Sequence, residues 1–217
     1  TFTVPARQTA AGSMDILSHL LEQYFDRSKN NDASKGMIEG LMRTVIKWAP
    51  IALKQPDNYD ARANLMWSAT MALNGIVSVA NENGWTVHSL EHELSAYYDI
   101  THGVGLGILT PRWMSFILTK DATTAEMLAQ FGRHVWDLEG DESYAVAQAA
   151  IDATFDWISR LGFPMTLPEV GIKDTQHFDA MATAAVANAS LETRAYVPLS
   201  VEDVETIYQA SMTDGLA

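Results

Sequence analysis

Six histidines occur in the chain, and four of them fall in two short segments. In the first segment Asp15 and His19 stand four residues apart. On a helix that spacing places a carboxylate and an imidazole on one face, one turn apart, where both can grip one ion. In the second, His88 and His92 are again four apart, and His102 follows a short loop beside Gly103 and Gly105. The run His88-Ser89-Leu90-Glu91-His92 has the histidine spacing of a zincin. Its glutamate adjoins the second histidine rather than the first, so the metalloprotease general base is out of place. Each segment alone reads as an ordinary polar helix surface. Together, one aspartate and three histidines could supply four ligands of the kind that suits iron(II) or zinc. The chain has no cysteine, which confines any metal to His, Asp or Glu and excludes disulfides, iron–sulfur clusters and a thiol nucleophile. His134 and His177 stand apart from these segments and read as surface or core polar groups.

These residues need helices to position them, and the hydrophobic spacing provides helices almost throughout. Ser13 is a plausible N-cap for a helix carrying Ile16, Leu17, Leu20, Leu21, Tyr24 and Phe25 at 3.6-residue spacing. Thr1 to Val4 favour a strand that Pro5 stops, so residues 1–12 read as extended. Further helices are expected over Lys35–Lys54, with Pro50 a kink or break, and from Pro56 to about Asn81. Gly84 and Trp85 mark a loop. A histidine-rich helix follows over Val87–Tyr97, then one from His102 to about Leu118 interrupted near Pro111. Later helices fit Ala122–Trp136, Asp141–Leu161, Asp174–Ala189 and Ser200–Met212. The tryptophans read mostly as core, with Trp85 placed to border the histidine segment. The expectation is one all-α domain of about nine unequal helices in an irregular, orthogonal packing.

Composition narrows the partners. Fourteen basic and 27 acidic residues in 217 give a formal charge of −13. So acidic a chain argues against nucleic acid, which is bound through Lys and Arg. Neither a secretory signal nor a membrane-spanning apolar run is visible, and a cytoplasmic location is expected. The chain begins at Thr1 rather than methionine and reads as a processed chain or a piece of a longer one.

Two longer motifs carry a family resemblance. Pro5, Gly12-Ser13-Met14-Asp15-Ile16-Leu17 and Glu22 form one. Trp85 through Gly105, with His88, His92, Leu94, Ser95, Ala96, His102, Gly103 and Gly105, forms the second. The run Asn58 to Ala69 resembles the helix between them. The chain resembles the C-terminal helical half of iron-containing (group III) alcohol dehydrogenases, in the butanol dehydrogenase and aldehyde reductase branch. The fold this implies is that of the C-terminal domain of dehydroquinate synthase and these dehydrogenases; dehydroquinate synthase itself would carry Glu in place of Asp15. The resemblance implies metal ligands at Asp15, His19, His88 and His102, with His92 a nearby non-ligand histidine and candidate proton carrier. It implies iron(II) or zinc, a small alcohol or aldehyde substrate, and NAD(P)H held mainly by an N-terminal α/β domain.

No Gly-rich dinucleotide loop or βαβ pattern occurs in these 217 residues. Residues 13–217 therefore read as the metal-binding catalytic half, residues 1–12 as the connection from the other domain, and the chain alone as inactive. A non-redox metal-binding interaction module is the alternative, with a helical metallohydrolase a weaker third.

Overall fold

The computed structural model describes residues 1–79 and 84–216. Ten α-helices follow in order: α1 (Ala6–Tyr24), α2 (Asp32–Lys54), α3 (Tyr59–Leu73), α4 (Thr86–Tyr98), α5 (His102–Lys120), α6 (Ala125–Val135), α7 (Ser143–Arg160), α8 (Phe178–Ala189), α9 (Leu191–Arg194) and α10 (Val201–Ala210). Short 3-10 turns cover Ala122–Thr124 and Pro168–Val170, and no strand occurs among the described residues. The all-α expectation holds.

Two helices form the centre. From Gly103 to Ser115 every residue of α5 is buried, as expected of a helix whose sequence is apolar all round. Against it packs α1, which buries Met14, Leu17, Leu20, Leu21 and Tyr24. Around this pair, α2 covers α1 and α3, α4 lies on α5 and α8, α10 braces α8 and α5, and α6 pairs with α7. Local chemistry sets several boundaries. The Asn58 side chain caps α3 by accepting from the Ala61 amide. Glu142 accepts two amides at the start of α7. Ser200 and Asp203 form a reciprocal capping box on α10.

Several expected boundaries move. The first helix starts at Ala6, so residues 6–12 are helical rather than extended, and Thr1 to Val4 make a turn closed by Val4 N–H on Thr1 O at 3.1 Å. Ser13 is not a cap: its hydroxyl donates to the Thr9 carbonyl at 2.7 Å inside the helix. The third helix ends at Leu73, just before Gly75 with φ +90°, and does not reach Asn81, which lies outside the described residues. Neither Pro50 nor Pro111 interrupts its helix. A proline deletes one amide donor and crowds the carbonyl four residues back. For Pro111 the residue four back is Gly107, whose missing side chain leaves Phe163 to pack there. Of the tryptophans, Trp113 and Trp157 are core, but Trp67 is 64% exposed on α3 beside Met66.

A buried arginine ties the chain's last turn to the centre. The Arg112 guanidinium, on α5, donates to the carbonyls of Ile108, Ala210 and Thr213 at 2.8, 3.1 and 2.7 Å. Nearby, the Tyr208 hydroxyl donates to Leu90 O of α4 at 2.7 Å.

Candidate metal centre

Asp15 sits in the middle of α1, its carboxylate turned toward the ends of α4 and α5. Its Oδ1 lies 3.1 Å from Nδ1 of His19, 3.6 Å from Nε2 of His88 and 3.5 Å from Nε2 of His102. Three imidazoles from three helices therefore converge on one oxygen. The same Nδ1 of His19 is 2.9 Å from the main-chain carbonyl of Asp15, an i−4 contact along the helix. His88 is 6% exposed, while Asp15, His19 and His102 are partly open, so the cluster is sealed on one side and faces solvent on the other.

Close packing of the three helices makes this convergence possible. A Cβ on Gly103 would stand 2.1 Å from the Ala11 carbonyl oxygen, so only glycine lets the start of α5 lie against α1. Trp85 enters α4 with φ +48° and sets its ring edge-on to His19 and His88, with centroids 5.6 and 5.4 Å away. The loop from α4 to α5 turns at Asp99, also left-handed at φ +51°. It is short, so His102 opens α5 directly opposite α4.

The electrostatics follow from this crowding. Burial pushes the Asp15 carboxyl up, but the imidazoles of His102, His19 and His88 outweigh it and hold the group far below the ordinary carboxylate range. His88 is raised despite its burial, by Asp15 and Glu22. Against its own burial, Asp15 and Glu91 push His102 up to about 9. His92 goes the other way, lowered by burial and by the neighbouring His102. It is exposed, its ring 5.4 Å from that of His102 and 6.2 Å from that of His88.

The donor set fits a divalent ion. Oδ1 of Asp15 and Nε2 of His88 are both shielded from solvent without a hydrogen-bond partner, a state that is costly unless another ligand satisfies them. Donors held about 2.0–2.2 Å from one tetrahedral ion lie roughly 3.3–3.6 Å apart. The separations of 3.5 and 3.6 Å from Asp15 to His102 and His88 match that edge, and are long for a hydrogen bond. Glu91, His92 and His102 form an adjoining group whose donor atoms lie within 4.8 Å of one another.

Two glutamates that the spacing of the histidines did not single out complete the picture. Glu22 and Glu91 are 4% and 0% exposed. Glu22 Oε1 accepts the His88 main-chain amide at 2.8 Å and lies 3.3 Å from its Nδ1. Glu91 Oε2 is bonded to Nδ1 of His102, and its Oε1 accepts the Ser95 hydroxyl at 2.6 Å. The other two histidines stay away from the cluster. His134 pairs with Glu39 at 2.9 Å, and His177 lies against Tyr97.

The family model described as "Fe-containing alcohol dehydrogenase family, C-terminal" matches residues 9–212. The chain belongs to that family. Among its relatives, NADH-dependent butanol dehydrogenase A of Clostridium acetobutylicum is 44% identical over 97% of this chain and 54% of that protein. The NADPH-dependent aldehyde reductase YqhD of Escherichia coli is 37% identical over 79% of this chain and 44% of that protein. The crystal structure of E. coli YqhD superposes with a TM-score of 0.88 at 32% identity, covering 97% of this chain and 53% of that one. The NADH-dependent butanol dehydrogenase A of Thermotoga maritima gives 0.86 at 33%, covering 98% and 54%. The chain thus spans about half the length of the curated relatives it matches.

Proposed function

We propose that the chain is the metal-binding half of an NAD(P)-dependent alcohol dehydrogenase or aldehyde reductase. Asp15, His19, His88 and His102 hold a divalent ion, iron(II) or zinc. The observation that carries this is the convergence of three imidazoles on one buried oxygen of Asp15, with that oxygen and His88 Nε2 lacking partners. When bound, the ion supplies Lewis acidity toward a substrate carbonyl or hydroxyl oxygen.

The chain's own groups hold the ion's ligands in place and leave one side of the cluster open for a small substrate. When bound, a dihydronicotinamide would supply the hydride for reduction of a carbonyl carbon, and the carbonyl oxygen would need a proton to become the alcohol. His92 is the candidate to hold that proton. Its ring is exposed beside the cluster, and imidazole is the side chain whose ordinary proton exchange falls near neutrality; burial and the neighbouring His102 shift it downward here. The nicotinamide would be brought by an α/β domain preceding these residues, with Thr1–Pro5 as the exit from it. The relatives' lengths support this two-part reading.

Titrating zinc into the purified chain tests the metal site. Stoichiometric binding is expected, abolished by Asp15→Ala, and absence of binding at micromolar zinc would overturn the assignment. The chain alone, loaded with metal, is expected to show no reduction of butyraldehyde by NADH or NADPH. Turnover by these 217 residues would refute the two-part reading.

A further inference from the structure

The sequence His-x-x-Glu occurs twice, as His19-Leu20-Leu21-Glu22 on α1 and His88-Ser89-Leu90-Glu91 on α4. In both copies the glutamate is buried and serves a histidine of the next helix in the cluster rather than its own. Glu22 of α1 reaches Nδ1 of His88 on α4, and Glu91 of α4 reaches Nδ1 of His102 on α5. Resting on the metal-site reading above, we propose that Glu22 and Glu91 are positioning residues of the centre. By accepting the Nδ1 protons of His88 and His102 they select the tautomer that leaves Nε2 bare toward Asp15, and so set the site's affinity for its ion.

Three observations carry this. A buried carboxylate is costly without a cationic or hydrogen-bonding partner. Among the described residues no Lys or Arg bridges either glutamate, so the imidazoles are the partners. Next, the bonds to Nδ1 leave Nε2 of both rings aimed at Asp15 Oδ1, at 3.6 and 3.5 Å. Finally, space is reserved for Glu91: a Cβ on Gly105 would lie 2.6 Å from its Oε1 and 2.7 Å from its Cγ. A carboxylate on the far nitrogen of a ligand histidine fixes the ring and raises its basicity, and loss of such a partner typically weakens binding about 10–100-fold.

The test compares the parent chain with Glu22→Gln and Glu91→Gln, which keep size and remove charge. Zinc affinity is measured by competition with a chromogenic chelator, and imidazole 15N shifts report which ring nitrogen carries the proton. About tenfold or greater loss of zinc affinity in each variant, with unchanged far-UV circular dichroism, is expected. Equal affinity in parent and variants overturns the proposal while leaving the metal site intact. If the parent binds no zinc, the metal reading has failed, and the 15N shifts of the metal-free chain at pH 10 decide the positioning role alone. Protons on Nδ1 of both His88 and His102 sustain it, and protons on Nε2 overturn it. The same parent measurement decides if a glutamine variant does not fold.

Discussion

In the metal-free chain Asp15 and His102 titrate in opposite directions, and the signs give a testable profile. The raised His102 contributes stability that is complete below its ordinary value of 6.5 and is lost as pH climbs through about 9. The depressed Asp15 contributes stability present above 3.8 and lost as pH falls below it. The thermal midpoint without metal should therefore peak between these values and decline toward pH 9.5, and His102→Gln should flatten the alkaline decline. Metal inverts the alkaline side: it must displace the His102 proton, so zinc affinity should rise with pH across the same range. His92 differs from the proposed ligands in being exposed, with no hydrogen bond to its ring among the described residues. Replacing it with alanine should leave zinc affinity within about threefold, whereas Asp15→Asn should lower it by at least the 10–100-fold typical of lost supporting groups. Chelator competition on the two variants side by side separates the roles.

At the scale of elements, two glycines predict opposite outcomes. Gly103 lies where α5 meets the Ala11 carbonyl of α1, so Gly103→Ala must part the helices that carry His102 and Asp15. A loss of about 1–3 kcal/mol is expected from urea unfolding, with zinc affinity falling alongside. Gly36 is helical and exposed on α2, and a Cβ there meets nothing within 4 Å. Gly36→Ala should stabilise by about 0.5–1 kcal/mol and leave zinc binding unchanged. The same contrast marks what could be read from the sequence. Apolar periodicity placed the ends of α4, α5, α7 and α10 to within two residues, because the apolar run that each buries is contiguous in sequence. The start of α1 escaped it: Ser13, a cap by residue type, lies inside the helix and spends its hydroxyl on the Thr9 carbonyl. Pro111 reads as a break from its residue type alone, yet α5 runs through it. The four-residue α9 is too short to show any period.

For the molecule as a whole, an ion at this centre would join α1, α4 and α5, elements spread over more than eighty residues of sequence. Binding only the folded state, zinc at about a hundredfold above its dissociation constant adds about 2.7 kcal/mol. For a chain of this size that is roughly 5–10 °C in thermal midpoint, reversed by EDTA and absent in Asp15→Ala. The histidines and Asp15 were visible as spacings within single segments, and the family's motifs tied them together. Glu22 and Glu91 were present in those same motifs, but their partners lie on other helices, and only tertiary packing shows which ring each one meets. The contacts of Arg112 and Tyr208 are of the same long-range kind, and they bear on the order of synthesis. Residues 208–213 supply two of the three acceptors for a buried guanidinium on α5 and the phenol that holds α4. On the ribosome the two helices bearing His88 and His102 are made about a hundred residues before those contacts exist. The packing that fixes α4 and α5 beside the cluster is therefore completed only once residues 208–213 are available to it.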